Sequence, residues 1–141
     1  MIMIKHIAIV ASAAALTACW GAPPDEKLLN GLCVDLLSGD TRVLEDLAGE
    51  AGAGVDGFCA CYAKTIVADA AKTTLHKDAI SAMVDARKDG DRGVEAAARH
   101  VQDLIESGEI DTFTEDQLDS TGDDFQSVSR DMGENGGVCP G

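Results

Sequence analysis

Cysteine is the residue type in this chain with the widest choice of chemistry. The sequence contains five: Cys19, Cys33, Cys59, Cys61 and Cys139. A thiolate can exchange with a disulfide or bind a metal ion, and two thiols can close a structural disulfide. Cys59-Ala60-Cys61 is the candidate for thiol exchange, because a bond between such close cysteines is strained and easily reduced. It lacks the Cys-x-x-Cys spacing, however, and only Lys64 lies nearby as a cation to stabilise a thiolate.

The histidines His76 and His100 stand in no recognisable catalytic motif. Their spacing to each other and to the cysteines is not that of a zinc or copper site. The chain also lacks Gly-x-Ser-x-Gly, His-Glu-x-x-His and a phosphate-binding loop. We therefore expect no enzymatic activity, no catalytic residue, no metal site and no dissociable cofactor.

A different chemistry is indicated for the first cysteine. Residues 1–6 carry Lys5, residues 7–16 are mostly apolar, and small residues follow, which is the layout of a secretory signal. The apolar run is too short to span a bilayer. The tetrapeptide Leu16-Thr17-Ala18-Cys19 resembles the lipobox of bacterial lipoproteins, and this resemblance covers residues 1–19 only.

The resemblance implies that residues 1–18 are a signal peptide, cleaved after Ala18, and that Cys19 carries a thioether-linked lipid. Further acylation of the new amino terminus, for example with palmitate, would anchor the protein stably in a membrane. Trp20 stands where an Asp would mark inner-membrane retention, which favours the outer membrane, with the domain facing the periplasm or the exterior. The alternative is a plain secretory signal cut near residues 13–15, which would leave Cys19 unmodified.

The remaining chain divides into a tether, residues 19–24, and a single domain, residues 25–141. Without Lys5 it keeps ten basic and 25 acidic side chains, a net charge of −15. Such a charge argues against nucleic acid and an anionic membrane surface as partners. Between Glu109 and Glu134 the only base is Arg130. A partner protein on this face would be cationic, although the same carboxylates could simply be a solvated surface.

Apolar residues recur at steps of three and four, which predicts helices. The first helix starts near Asp25 and ends at Gly39, and Thr41 could cap a short second helix. A third helix is expected from Val55 to about Ala71, after a glycine-rich loop.

Thr73 or Thr74 is expected to cap a fourth helix. The apolar stripe of a fifth consists of Val94, Ala97, Ala98, Val101, Leu104 and Ile105. Thr114 and Gln117 have the spacing of a capping box for a last helix, which Gly122 could interrupt. The prediction is a small all-α bundle of about five helices, stapled by two disulfides and followed by a glycine-rich tail.

The four cysteines after Cys19 allow three pairings. On a helix, Cys59 and Cys61 point about 200° apart, so each should bond to a different neighbour. We favour Cys33–Cys59, because both residues lie on apolar helix faces, and Cys61–Cys139, which would clamp the tail. The crossed pairing, Cys33 with Cys61 and Cys59 with Cys139, remains a close alternative.

Two functions are compatible with these features. The first is a lipid-anchored lipoprotein of the cell envelope whose helical domain is a non-catalytic binding module for an envelope protein. The second is a thiol-disulfide active envelope protein that uses Cys59 and Cys61.

Overall fold

The computed structural model describes residues 21–141. Residues 1–20, with the lipobox-like segment and Cys19, lie outside the described part. The all-α class is confirmed, and no strand occurs within residues 21–141. No helix in this range is long and apolar enough to cross a membrane. The six helices are α1 (Pro24–Leu37), α2 (Thr41–Glu50), α3 (Val55–Ile66), α4 (Ala70–Gly90), α5 (Val94–Glu106) and α6 (Glu115–Glu134).

Helix α3 forms the middle of the bundle. It packs against α1, α4 and α6, whereas α5 packs mainly on α4. Six of its twelve residues are buried, and its Phe58 and Tyr62 are among the largest fully buried side chains. The aliphatic core from α1 and α4 surrounds these two rings. The hydrophobic core that stabilises the fold is therefore built around α3.

The junction between α3 and α4 differs from the prediction. Helix α3 ends at Ile66, not near Ala71, and α4 begins immediately after Asp69. The Asp69 carboxylate accepts hydrogen bonds from two backbone N–H groups of the first turn of α4. Aspartate is a strong N-cap because it satisfies N–H groups that have no partner within the helix.

The predicted caps Thr73 and Thr74 consequently lie inside α4. Thr73 is buried, and its hydroxyl donates to the backbone carbonyl of Asp69 at 2.8 Å. A cap at Thr73 or Thr74 would place His76 in the first turn of α4, but with α4 beginning at Ala70 it lies in the second turn. There the imidazole is fully buried.

Helix α2 is capped by Asp40 and not by Thr41. One oxygen of the Asp40 carboxylate accepts from the backbone N–H of Val43 at 3.3 Å. The other accepts from the N–H of Val94 at 2.8 Å, at the start of α5. These bonds, that from Val94 above all, lower the pKa of Asp40. A single carboxylate thus caps two helices and ties their starting points together.

Helix α6 is continuous, so the expected interruption at Gly122 is wrong. The capping box is confirmed: the Thr114 hydroxyl accepts from the N–H of Gln117, and the Gln117 side chain accepts from the N–H of Thr114. Near its end, a Cβ at Gly133 would collide with the carbonyl oxygen of Glu50. The absence of a side chain therefore permits the close approach of α2 and α6.

Both favoured disulfides are present. Cys33–Cys59 joins α1 to α3 across the core, and Cys61–Cys139 attaches the tail after α6 to the other side of α3. The cysteines of the first bond are fully buried, while Cys139 is half-buried. Each cysteine of the Cys59-Ala60-Cys61 segment is bonded elsewhere, as expected for side chains on different faces of one helix.

Candidate functional site

A groove runs along the surface between α5 and α6. Its volume is about 690 Å³, within the range of pockets that bind ligands. The floor is apolar and consists of Leu36, Leu37, Val43 and Met83. The α5 wall consists of Val94, Glu95, Ala98 and Gln102, and the α6 wall of Leu118, Asp119, Thr121, Gly122, Asp123, Phe125 and Gln126.

The groove exists because α5 and α6 are anchored to different parts of the core. Helix α5 buries only Ala97 and Val101 and packs mainly on α4, whereas α6 packs across α3, α4 and α2. Small residues, Ala98 on one wall and Gly122 on the other, keep the space between them free. A Cβ at Gly122 would meet no atom within 4 Å. The groove is therefore open to an incoming group without rearrangement of the helix backbone.

A smaller recess continues from the groove between α2 and α6. Its volume is about 150 Å³, and it shares Leu37, Val43, Phe125 and Gln126 with the groove. Ser129 lines the recess, is only 4 % exposed, and has a hydroxyl with no hydrogen-bond partner among residues 21–141. A buried hydroxyl without a partner is energetically unfavourable. The oxygen itself has almost no accessible surface, so a polar group in the recess would satisfy it after the Ser129 side chain rotates toward the recess.

All five charged residues that line the groove and the recess are acidic: Asp46, Glu50, Glu95, Asp119 and Asp123. Glu95 forms ion pairs with Arg99 at 2.7 Å and with Arg42 at 2.8 Å, and both lower the pKa of Glu95. No ion pair within the described residues involves the other four. The α2 and α6 sides of this surface therefore carry uncompensated negative charge.

Behind the α6 wall lies a chain of hydrogen bonds that links three helices. The Tyr62 hydroxyl is bonded to Nδ1 of His76, and Nε2 of His76 lies 2.9 Å from Oδ2 of Asp124. The other Asp124 oxygen accepts from Nζ of Lys72 at 2.8 Å. A carboxylate can only accept hydrogen bonds. The neutral imidazole therefore donates a hydrogen bond to Asp124 through Nε2 and accepts one from the Tyr62 hydroxyl at Nδ1.

Burial determines the protonation of this hydrogen-bond chain. It lowers the pKa of His76, an effect that Asp124 opposes and Lys72 reinforces. Burial also raises the pKa of Tyr62, with a further contribution from the Asp124 charge. Tyr62 and His76 are therefore neutral in the folded state near pH 7, and both are 0 % exposed. The chain connects α3, α4 and α6 inside the protein, where no substrate can contact its tyrosine or histidine.

Phe125 connects the hydrogen-bond chain to the groove. It follows Asp124 in α6, its ring centroid lies 4.1 Å from that of Tyr62, and it also packs on Phe58. The same side chain lines both the groove and the recess. The buried hydrogen bonds thus fix the position of an aromatic side chain in the candidate binding surface.

The structure brings the sequence-derived candidates together only in part. Four cysteines, Cys33, Cys59, Cys61 and Cys139, close the two structural bonds, whereas Cys19 lies outside the described residues. His100 is half-buried on α5 and is not among the residues that line the groove. Sequence reasoning missed the partnership of His76 with Tyr62 and Asp124. A signal was available, since His76 lies three and four residues before Ala79 and Ile80 on a buried stripe, where a polar side chain needs a partner.

Within residues 21–141 there is no group of three or more His, Cys, Asp or Glu side chains that could hold a metal ion. No protein-family model, curated protein or solved structure matches the chain.

Proposed function

We propose that this protein is a lipid-anchored lipoprotein of a bacterial cell envelope whose helical domain is a non-catalytic binding module. The observation that carries the binding role is the open apolar groove between α5 and α6, with its acidic rim. Concave apolar surfaces with a few polar groups are the usual form of binding sites.

The lining of the groove supports binding over catalysis. Its described residues include no histidine, cysteine, serine or lysine, and its only titratable side chains are Glu95, Asp119 and Asp123. These three carboxylates are exposed to solvent. The only hydroxyl among these residues, that of Thr121, donates to the backbone carbonyl of Gln117 at 3.0 Å, with no base beside it in the lining. The groove thus offers contact area and charge, but no activated nucleophile and no buried acid or base.

The envelope location is supported by the lipobox-like segment and by the two disulfides, which suit an oxidising compartment. With lipid on Cys19, an extended chain from Cys19 to Pro24 would span about 17 Å at most. The groove floor contains Leu36 and Leu37, at the opposite end of the 14-residue α1, about 20 Å farther along that helix. A partner could therefore approach the groove at a distance from the anchor.

The anchor can be tested by mass spectrometry of the amino-terminal peptide of the protein purified from its host. We expect a peptide that starts at Cys19 and carries the mass of the attached acyl chains. An unmodified Cys19, or a different first residue, would contradict lipidation. A Cys19→Ser variant provides the control, since it should no longer fractionate with membranes.

The groove can be tested by photo-crosslinking in intact cells. A photoreactive residue at Gln102, on the α5 wall, should give a discrete crosslinked product, whereas one at the exposed Asp78 on α4 should not. Gly122→Leu, which fills the groove, should remove the product. Equal crosslinking from Asp78, or a product that persists with Gly122→Leu, would show that the groove is not the binding site.

No geometric observation favours the thiol-disulfide alternative. Cys59 is bonded to Cys33 in the core, and Cys61 to Cys139, so each would have to leave an existing bond before acting. Thiol counting on protein purified without reductant distinguishes the two functions. We expect no free thiol in residues 33–139 and resistance to millimolar glutathione. Ready reduction would favour the alternative.

A further inference from the structure

We infer that the occupant of the groove is a basic amphipathic helix of a partner protein, which inserts one side chain with a polar tip, of the tyrosine type, into the recess. This inference rests on the proposed binding function and specifies the partner. It combines three observations: the shape of the groove, the sign of its charges and the unsatisfied hydroxyl of Ser129.

The shape of the surface suits a helix. The α6 wall extends from Leu118 in the groove to Ser129 in the recess, which is three turns, or about 16 Å. The surface is bounded by helices along its length and is open above an apolar floor. This is the arrangement in which an amphipathic helix lays its apolar face into a groove. The small residues Ala98, on the α5 wall, and Gly122, on the α6 wall, leave room for a close backbone.

The acidic side chains of the surface indicate which residues should flank the apolar face of the partner helix. Asp119 and Asp123 lie one turn apart on α6, and Asp46 and Glu50 lie one turn apart on α2. All four are exposed, and no lysine or arginine of the described chain lines either cavity. Lysine or arginine side chains at four-residue steps on the partner would match these pairs. A second copy of this chain would instead place one acidic wall against another.

The recess specifies the anchoring side chain. Its walls include Leu47, Phe58 and Phe125, which favour an apolar body, while the Ser129 hydroxyl needs a hydrogen-bond partner. Tyrosine combines a large apolar ring with a hydroxyl that can donate or accept. Such residues are frequent anchors at the centre of protein interfaces.

The experiment uses the full protein in nanodiscs of zwitterionic lipid and a set of labelled helical peptides, with empty nanodiscs as the blank. All peptides share leucines on one face and lysines at four-residue steps. One series carries a single tyrosine, moved along the apolar face, and a matched series carries phenylalanine at the same positions. An acidic set replaces every lysine with glutamate.

We expect the basic peptides to bind and the acidic set not to bind. At the best position the tyrosine peptide should bind about fivefold more tightly than its phenylalanine partner, as expected for one hydrogen bond. Ser129→Ala should abolish this difference without loss of protein stability, because it removes a hydroxyl that has no partner. Equal affinity of the tyrosine and phenylalanine peptides for the wild-type protein would overturn the assigned anchor.

The charge contribution is tested with a double variant, Asp119→Asn with Asp123→Asn. This variant should bind the basic peptides about fivefold more weakly than the wild-type protein does. Added salt should reduce this difference in affinity. The matched control, Asp78→Asn with Asp85→Asn on the exposed side of α4, changes the net charge equally and should leave binding unchanged. Equal effects of the two double variants would overturn specific recognition.

Failure of this inference can be distinguished from failure of the proposed function. If no basic peptide binds, or if the protein only self-associates, the basic-helix partner is wrong. A crosslink from Gln102 in cells that Gly122→Leu removes would still support the groove as a binding site.

Discussion

The two sides of this bundle are built differently. On one side, α1, α3 and α4 pack closely, and the buried Cys33–Cys59 bond joins two of them. The Arg87 guanidinium also donates to the backbone carbonyls of Leu36 and Ser38 at the end of α1. On the other side, α5 buries two residues and stands apart from α6 across the groove.

This contrast suggests that the two sides have different roles. The packed side supplies the stability, and the open side presents apolar surface that an additional helix could cover. Besides the packing of α5 on α4 and of α6 on α3, two polar connections join the sides: Asp40, which caps both α2 and α5, and the hydrogen-bond chain of Tyr62, His76, Asp124 and Lys72. Substitutions in each part should therefore have effects of different size and kind.

The largest effect is expected from the packed side. Replacing both Cys33 and Cys59 with alanine should lower the free energy of unfolding toward the upper end of the usual range of about 2–5 kcal/mol. Replacing Cys61 and Cys139 should cost less, because that bond holds a tail and not a packed pair of helices. Denaturant unfolding of both double variants measures the difference. Equal losses would contradict the distinction between core bond and tail clamp.

The next effect concerns the cap that joins the two sides. Asp40→Ala should cost about 1–3 kcal/mol, because it removes the side-chain cap of two helices. Asp40→Asn has one carbonyl oxygen and should retain about half of this stabilisation. Thermal unfolding gives the comparison. If Asp40→Ala resembled Thr41→Ala, the double cap would have no energetic importance.

The hydrogen-bond chain should make stability depend on pH. The pKa of His76 is lowered on folding, so below about pH 6.5 the unfolded chain takes up a proton that the folded protein excludes. The contribution of neutral His76 to the free energy of unfolding is fully present above the pKa that His76 has in the unfolded chain. It is lost as pH falls toward the folded pKa, by at most about 1.4 kcal/mol per pH unit.

The free energy of unfolding should therefore decrease as the pH falls from 7.5 to 5. His76→Gln should flatten this pH dependence, even if the substitution lowers stability at every pH. The Asp124 and Lys72 charges and the Tyr62 hydroxyl, which contact the imidazole or its partner, are unchanged in this variant. An unchanged slope in His76→Gln would assign the pH dependence to other groups.

The smallest effect, and the only one of opposite sign, is expected at the open side. Gly122→Ala should stabilise the protein by about 0.5–1 kcal/mol, because α6 is helical there and the new methyl group meets no atom. Gly31→Ala in α1 is the matched control, since its Cβ also meets nothing within 4 Å. Chemical denaturation should show similar gains. A loss for Gly122→Ala alone would mean that another group occupies the space beside Gly122.

Much of the architecture was accessible from the sequence. The apolar periodicity indicated the helices, and the spacing of Thr114 and Gln117 indicated the start of α6. The 200° separation of Cys59 and Cys61 on one helix favoured the observed pairing but did not exclude the crossed one. Helix boundaries were less accessible, because Asp40 and Asp69 compete as caps with the neighbouring threonines.

The functional surface was less accessible still. The groove depends on how far α5 and α6 stand apart, because α5 packs mainly on α4 while α6 packs across α3, α4 and α2. The partnership of Tyr62, His76 and Asp124 joins residues up to 62 positions apart in the chain, and no local pattern specifies it. The acidic composition was visible, but not its arrangement around an apolar floor.

The sequence by itself determined the helical class, the number of cysteines available for disulfides and the excess of negative charge, because these follow from local periodicity and composition. The tertiary structure alone decided which carboxylates face the groove, which hydroxyl is left without a partner and which histidine is buried. Those properties depend on contacts between residues distant in the chain, and such contacts arise only when the helices pack.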